Sequence, residues 1–214
     1  MRIVAGQWRG RHLAIPKGRG IRPTLERVRE AMFDVLQSDI PDARVLDLCA
    51  GSGALGFEAL SRGARRVKWC DADPRCIDTI RENAQKLGVV LTSRSLFAMP
   101  VLDAVWRIAK SSEPFDVVFF DPPYEAGLYD ETLLALSLSG RVSPGGVVAV
   151  EHSKNIKLSP SYGHLVLDRV RQYGDTYVTY YRRPEAPAPA TAGGEASGEA
   201  APQGRDEAPE EEES

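Results

Sequence analysis

The chain has 214 residues, 43% hydrophobic and 27% charged, with a formal net charge of −3, enough for one domain of ordinary size around a sizeable core. No stretch approaches ~20 uncharged apolar residues, and the opening MRIVAGQWRGR has no apolar run, so neither a membrane span nor a secretory signal is expected. Cys49, Cys70 and Cys76 cannot all pair and fit no zinc spacing, which excludes a disulfide framework and points to a cytoplasmic setting without a metal.

Residues 1–22 carry six cations (Arg2, Arg9, Arg11, Lys17, Arg19 and Arg22) and Trp8, with no acid. This glycine-punctuated stretch reads as a small basic hairpin or arm. A helix is predicted from about Thr24 to Gln37: Thr24 can cap it, and Leu25, Val28, Ala31, Met32, Val35 and Leu36 form one apolar stripe. Seven apolar runs then read as strands, at Arg44–Leu48, Arg66–Asp71, Val89–Thr92, Phe115–Asp121, Gly146–Glu151, Leu165–Gln172 and Thr176–Arg182. Helical patterns occupy 53–62, 74–87, 96–110 and 127–139. Strands alternating with helices imply a parallel sheet covered on both faces. Gly174 and Asp175 leave room only for a hairpin turn, so the last strand is expected to be antiparallel.

Residues 184–214 hold nine acids against Arg205 alone, with no large apolar side chain, and read as a disordered acidic tail. The rest, 1–183, has 26 bases and 21 acids, and the whole excess falls within 1–37. The expected organisation is a basic arm (1–22), an α/β domain (23–183) and the tail (184–214).

In RVLDLCAGSGALGFEAL a strand, a glycine turn and a helix follow one another. Gly51, Gly53 and Gly56 have the G-x-G-x-x-G spacing, and Asp71 stands twenty residues past Gly51. The pattern suits a nicotinamide dinucleotide, but Asp47 speaks against one. A carboxylate just before the turn repels a pyrophosphate seated at the helix N-terminus and attracts the sulfonium and ammonium of S-adenosylmethionine (AdoMet). The glycines allow close backbone approach, and Asp71 takes ribose hydroxyls in either case. The candidate cofactor residues are Asp47, Ala50, Gly51, Ser52, Gly53, Asp71 and Ala72. Asp47 has a second reading, as a structural acid bonding the turn's own amides, and the loop alone does not decide between them.

The run VVFFDPPYE ends a buried strand with an acid, two prolines and an aromatic. Methylating an exocyclic base amine is hard because the nitrogen lone pair is delocalised into the ring. Both amine hydrogens must be held so that the lone pair faces the methyl group. Asp121 offers a carboxylate, and Pro122 a carbonyl whose direction the paired rings restrict. Neither Pro122 nor Pro123 brings an N–H to compete. Tyr124 offers a flat face for a base drawn from its stack. The candidate catalytic residues are Asp121, Pro122, Pro123 and Tyr124, at the strand edge where open α/β sheets bind ligands.

From Arg2 to Arg182 the chain resembles the RsmD family of bacterial 16S rRNA (guanine-N2)-methyltransferases. The resemblance lies in RIVAGQWRGRHLAIP, RPTLERVREAMFDVL, VLDLCAGSGALGFEALSRGA, FFDPPYEAGLYDETL and YGDT. It implies the Rossmann-like, seven-stranded AdoMet-dependent methyltransferase sheet with its last strand antiparallel. It also implies AdoMet as donor, no metal, and a substrate in an assembling small ribosomal subunit, met by a monomer. Two departures stand out: Cys49 occupies a place where relatives often carry an aromatic, and VVLTSRSLFAMP lacks the acid often found after the third strand. Arg2, Trp8, Arg9, Arg11, Lys17, Arg19 and Arg22 are the candidate RNA contacts, since arginines with an interleaved aromatic suit phosphates and stacked bases. Trp8 has an equal alternative, simple packing on the sheet domain. The rival functions are adenine-N6 methylation of DNA or RNA, an RNA- and AdoMet-binding assembly factor, and, more distantly, a dehydrogenase.

Overall fold

Runs such as RVLDL and FDVVFF are apolar on both faces, so they belong at the centre of a sheet with helices above and below. A computed structural model describes residues 1–16, 26–109, 113–123 and 128–185. Within them the order is α1 (Glu26–Val35), β1 (Arg44–Leu48), α2 (Ala54–Ser61), β2 (Arg66–Asp71), α3 (Pro74–Leu87), β3 (Leu96–Ala98) and α4 (Val101–Ala109), then β4 (Phe115–Phe120), α5 (Tyr129–Leu138), β5 (Val142–Ser153), β6 (Ser161–Tyr162), β7 (Leu165–Tyr173) and β8 (Thr176–Arg182).

The strands form one sheet in the order β3-β2-β1-β4-β5-β8-β7-β6. Strands β1 to β5 pair in parallel, and β8 enters antiparallel between β5 and β7. Three details differ from expectation. A two-residue β6 pairs with β7 as an eighth strand, too short for any periodicity to show. The third strand is Leu96–Ala98, not Val89–Thr92, and α4 begins at Val101 rather than at 96. Val89 instead continues the end of α3, donating its amide to Ala84 O beyond the left-handed Gly88 cap, and Val90 is exposed. β5 also starts earlier, with a register shift against β4 between Phe115 and Val117 that absorbs the Pro144–Gly146 stretch.

Two cores flank the sheet. On one face α1, α2 and α3 pack Phe33, Phe57 and Ile80 against Trp69 and Phe119, with Phe33 and Phe119 ring centroids 5.3 Å apart. On the other, α4 and α5 pack Val105, Ile108, Leu133 and Leu136 against Leu48 and Phe120.

The arm lies along α2 and is built into the first core through buried Ile3 and Leu13. Its two limbs meet at an antiparallel bridge between Arg2 and His12. Glu58, fully buried in α2, accepts the amides of Val4 and Ala5 at 2.8 and 2.9 Å. Ser61, at the end of α2, receives Trp8 N on its hydroxyl and Gln7 N on its carbonyl. Arg29 is also buried: it donates to Arg2 O and lies 3.6 Å from Glu58. The arm's limbs therefore start near the glycine turn and its tip rests at the amino edge of the sheet.

Candidate active site

The glycine turn and two acids make one ledge at the carboxyl edge of the sheet. Cys49, Gly51 and Gly53 take left-handed conformations, with φ of 57°, 56° and 78°. Where a side chain would begin on Gly51 there is open space, so a ligand can approach the backbone there. Gly56 works differently. A Cβ at that position would fall 2.1 Å from Trp69 Nε1 and 2.8 Å from Val67 Cγ1, so this glycine lets α2 lie against β2.

Gly53 is the N-cap of α2 and has no side chain with which to cap it. Asp47 does so from the preceding strand: its Oδ2 accepts the amide of Gly56 at 2.9 Å, one of the amides a helix start leaves unpaired. Asp47 is 1% exposed. Burial pushes its carboxyl well above the usual carboxylate range, the Gly56 amide opposes this, and Asp121 and Asp71 add to it by repulsion. Asp47 thus buttresses the turn from beneath, as its second sequence reading held.

Asp71 closes β2. Its Oδ2 accepts Gly51 N at 2.8 Å and its Oδ1 accepts Asp73 N at 2.9 Å. It ties the glycine turn to the head of α3, where Asp73 caps the helix by accepting Arg75 N at 2.9 Å ahead of Pro74. Each Asp71 oxygen keeps a second lone pair for a ligand hydroxyl. Ala50 is half-buried, Ser52 buried and Ala72 exposed along the same ledge.

Asp121 follows β4 directly, with its amide 3.5 Å from Leu48 O. It is half-buried, Pro122 is buried and Pro123 is exposed; Tyr124 lies outside the described residues. Leu48 is in register with Cys70 and Phe120, and Phe120 with Val150. One residue further, Asp71, Asp121 and Glu151 fall into a single row at the carboxyl ends of β2, β4 and β5, with Asp47 two residues below on β1. Glu151, 6% exposed, was not anticipated, because its run GVVAVEHS reads as an ordinary buried strand. Among the described residues no group of His, Cys, Asp and Glu is arranged to hold a metal ion, and no described helix is long and apolar enough to cross a membrane.

Of the candidate RNA residues, Arg2 is paired with Glu26 at 2.7 Å, Arg9 is exposed, and Arg11 donates to Lys86 O at 3.1 Å. Trp8 packs its half-buried ring on the core. Lys17, Arg19 and Arg22 lie outside the described residues, as do the Thr24 cap and the tail from 186 onward. Asn83, also unanticipated, joins arm to ledge: its side chain accepts Ala14 N at 2.7 Å and donates to Ala14 O at 3.1 Å and to Ser52 O at 3.0 Å.

A parallel sheet with an antiparallel strand inserted beside β5, and a glycine turn flanked by strand-end acids, defines the Rossmann-like methyltransferase class. TrmN from Thermus thermophilus shares the fold, with a TM-score of 0.57 at 22% identity over 77% of this chain and 51% of that one. The chain belongs to the family described as Conserved hypothetical protein 95, which it matches over residues 1–182. It is 36% identical over 185 residues to the Ribosomal RNA small subunit methyltransferase D of Escherichia coli K12, covering 86% of this chain and 90% of that relative. The protein of the same name from Haemophilus influenzae is 36% identical over 155 residues, covering 72% and 80%. A second solved structure from Thermus thermophilus, of a hypothetical protein, superposes with a TM-score of 0.73 at 32% identity, over 85% of this chain and 99% of that one.

Proposed function

We propose that this protein methylates the exocyclic N2 amine of a guanine in 16S rRNA of the assembling small ribosomal subunit, as a cytoplasmic monomer using AdoMet. The observation that carries the reading is the placement of Asp121 and Pro122 at the end of β4, directly beside the glycine turn of β1 and in one row with Asp71. Family membership and the names of the relatives supply the RNA.

The ledge fits AdoMet by its chemistry. Gly51 leaves backbone open to a ligand, and Asp71 has lone pairs for ribose hydroxyls. When bound, AdoMet supplies an electrophilic methyl group on a positively charged sulfur. The protein's residues do the remaining work. The Asp121 carboxylate and the Pro122 carbonyl accept the two amine hydrogens and turn the nitrogen lone pair out of conjugation. The rings of Pro122 and Pro123 restrict the direction of the Pro122 carbonyl and the backbone of Asp121, so less ordering remains for the reactive complex. Tyr124 stacks on the extruded base. Asp121, or water beside it, takes the proton that the methylated nitrogen sheds. Arg2, Trp8, Arg9, Arg11, Lys17, Arg19 and Arg22 of the arm contact the RNA, with phosphate attraction as the main term.

The test is to incubate undermethylated small subunits with the protein and methyl-labelled AdoMet, digest the RNA and separate the nucleosides. Label in N2-methylguanosine is expected. Label in a methylated adenosine, or none in RNA, would overturn the assignment.

A further inference from the structure

A groove of about 640 Å³ lies on the flank of the sheet, away from the carboxyl edge. It exists because β3 is so short: β3 pairs only with Trp69–Asp71, leaving Arg66–Lys68 of β2 without a strand on that side. Arg65, Arg66, Lys68 and Arg94 line it with one acid, Glu113. Residues 38–183 carry balanced charge overall, so four cations against one acid is a local concentration. Glu113 is engaged by Arg66 and lies 3.9 Å from Arg44. Arg65 and Arg94 are exposed, and neither has an acidic partner among the described residues. Burial and the neighbouring charges of Arg66 and Arg94 pull Lys68 below the ordinary lysine value.

The arm is bonded to residues that neighbour the groove in the chain. Leu60 and Val89 border it, Ser61 beside Leu60 holds the amide of Trp8, and Lys86, three residues before Val89, holds Arg11. Arg11 is thereby held at the end of α3, three residues before the groove begins, and Arg9 is exposed in the same limb tip. From Val67 to Asp71 the strand advances roughly 13 Å, so the groove is too far from Asp121 to touch the target base and in reach of the RNA around it.

We propose that this groove binds the phosphodiester backbone of RNA flanking the target base, continuing the track begun by the arm. This rests on the RNA-methyltransferase reading above. A repeating polyanion is the ligand that matches several cations spread along an open strand edge.

The test compares Arg65→Glu/Arg94→Glu with a control of equal charge change, Arg107→Glu/Lys157→Glu, whose residues are exposed elsewhere. Binding to undermethylated small subunits and to a single-stranded RNA oligonucleotide is measured across salt concentrations, alongside AdoMet affinity and thermal midpoint. The groove variant should lose about tenfold or more in RNA affinity, and its slope of log K against log salt should shrink by about 1.4, two contacts' worth for a single strand. Its AdoMet affinity and its methylation rate at saturating RNA should match wild type. Equal behaviour of the two double variants overturns the proposal. It is also overturned if truncation after Glu185 tightens RNA binding only while the groove is intact, since the occupant is then this chain's own acidic tail. Failure of the wild type to methylate RNA is a separate result and sinks the methyltransferase reading instead.

Discussion

The side-chain amide of Asn83 donates to the carbonyl of Ser52 at 3.0 Å, fixing the glycine turn from below. The same amide group, with its oxygen, holds both backbone groups of Ala14, so the arm and the glycine turn share one buried support. Asn83→Asp places a carboxylate against two carbonyls and should cost about 1–3 kcal/mol or more. Urea unfolding and AdoMet calorimetry check this: stability and AdoMet affinity should fall together. Retained AdoMet affinity in a destabilised variant would show that the ledge does not depend on Asn83.

Glu58 is the second point of attachment for the arm. Replacing it with alanine strands the buried Arg29 guanidinium and two amides of the arm. Loss of one partner from a buried pair typically costs about 3–5 kcal/mol, and chemical unfolding should register a cost of that order. Proteolysis of the native variant should also open the chain first within residues 1–16.

Gly56→Ala is a small change with a disproportionate effect. The new methyl would overlap Trp69 and Val67, and forced overpacking costs about 1–3 kcal/mol. A lowered thermal midpoint with a shifted tryptophan emission is the expected readout. Gly51→Ala meets no neighbour, so its stability cost should come from the positive φ, and the added methyl in the open approach should lower AdoMet affinity.

Acid should act through Asp116. Burial alone would raise its carboxyl, but bonds from Arg44 and Ser143 outweigh this and hold it at about 2, against an ordinary 3.8. A carboxyl depressed in the folded state contributes stability above 3.8 that is lost as pH falls towards about 2. Wild type should therefore lose its advantage over Asp116→Asn across that interval in thermal melts. A constant difference between the two would refute the linkage.

The central strands were legible because they are apolar on both faces and bounded by turn residues: β1 and β2 have the expected limits. The third strand was not, because the apolar run at Val89–Thr92 opens with a residue bonded back to α3, while the pairing segment Leu96–Ala98 is only three residues long. The ledge residues were legible as an ordered pattern on successive strand ends. Their bonding was not. The loop pattern left two readings of Asp47 open, and its bond to the Gly56 amide carries no signal in the sequence. Arg29 and Glu58 interrupt apolar helix faces, and their partners are backbone amides and carbonyls of a distant segment, which carry no residue-type signal.

The most direct measurement is single-turnover methyl transfer by Asp121→Ala, made alongside its affinity for AdoMet. Loss of one of the two amine acceptors should slow transfer by about 10²-fold or more, with AdoMet affinity unchanged. An unaltered rate, or a loss wholly explained by weaker AdoMet binding, would contradict the two-acceptor clamp.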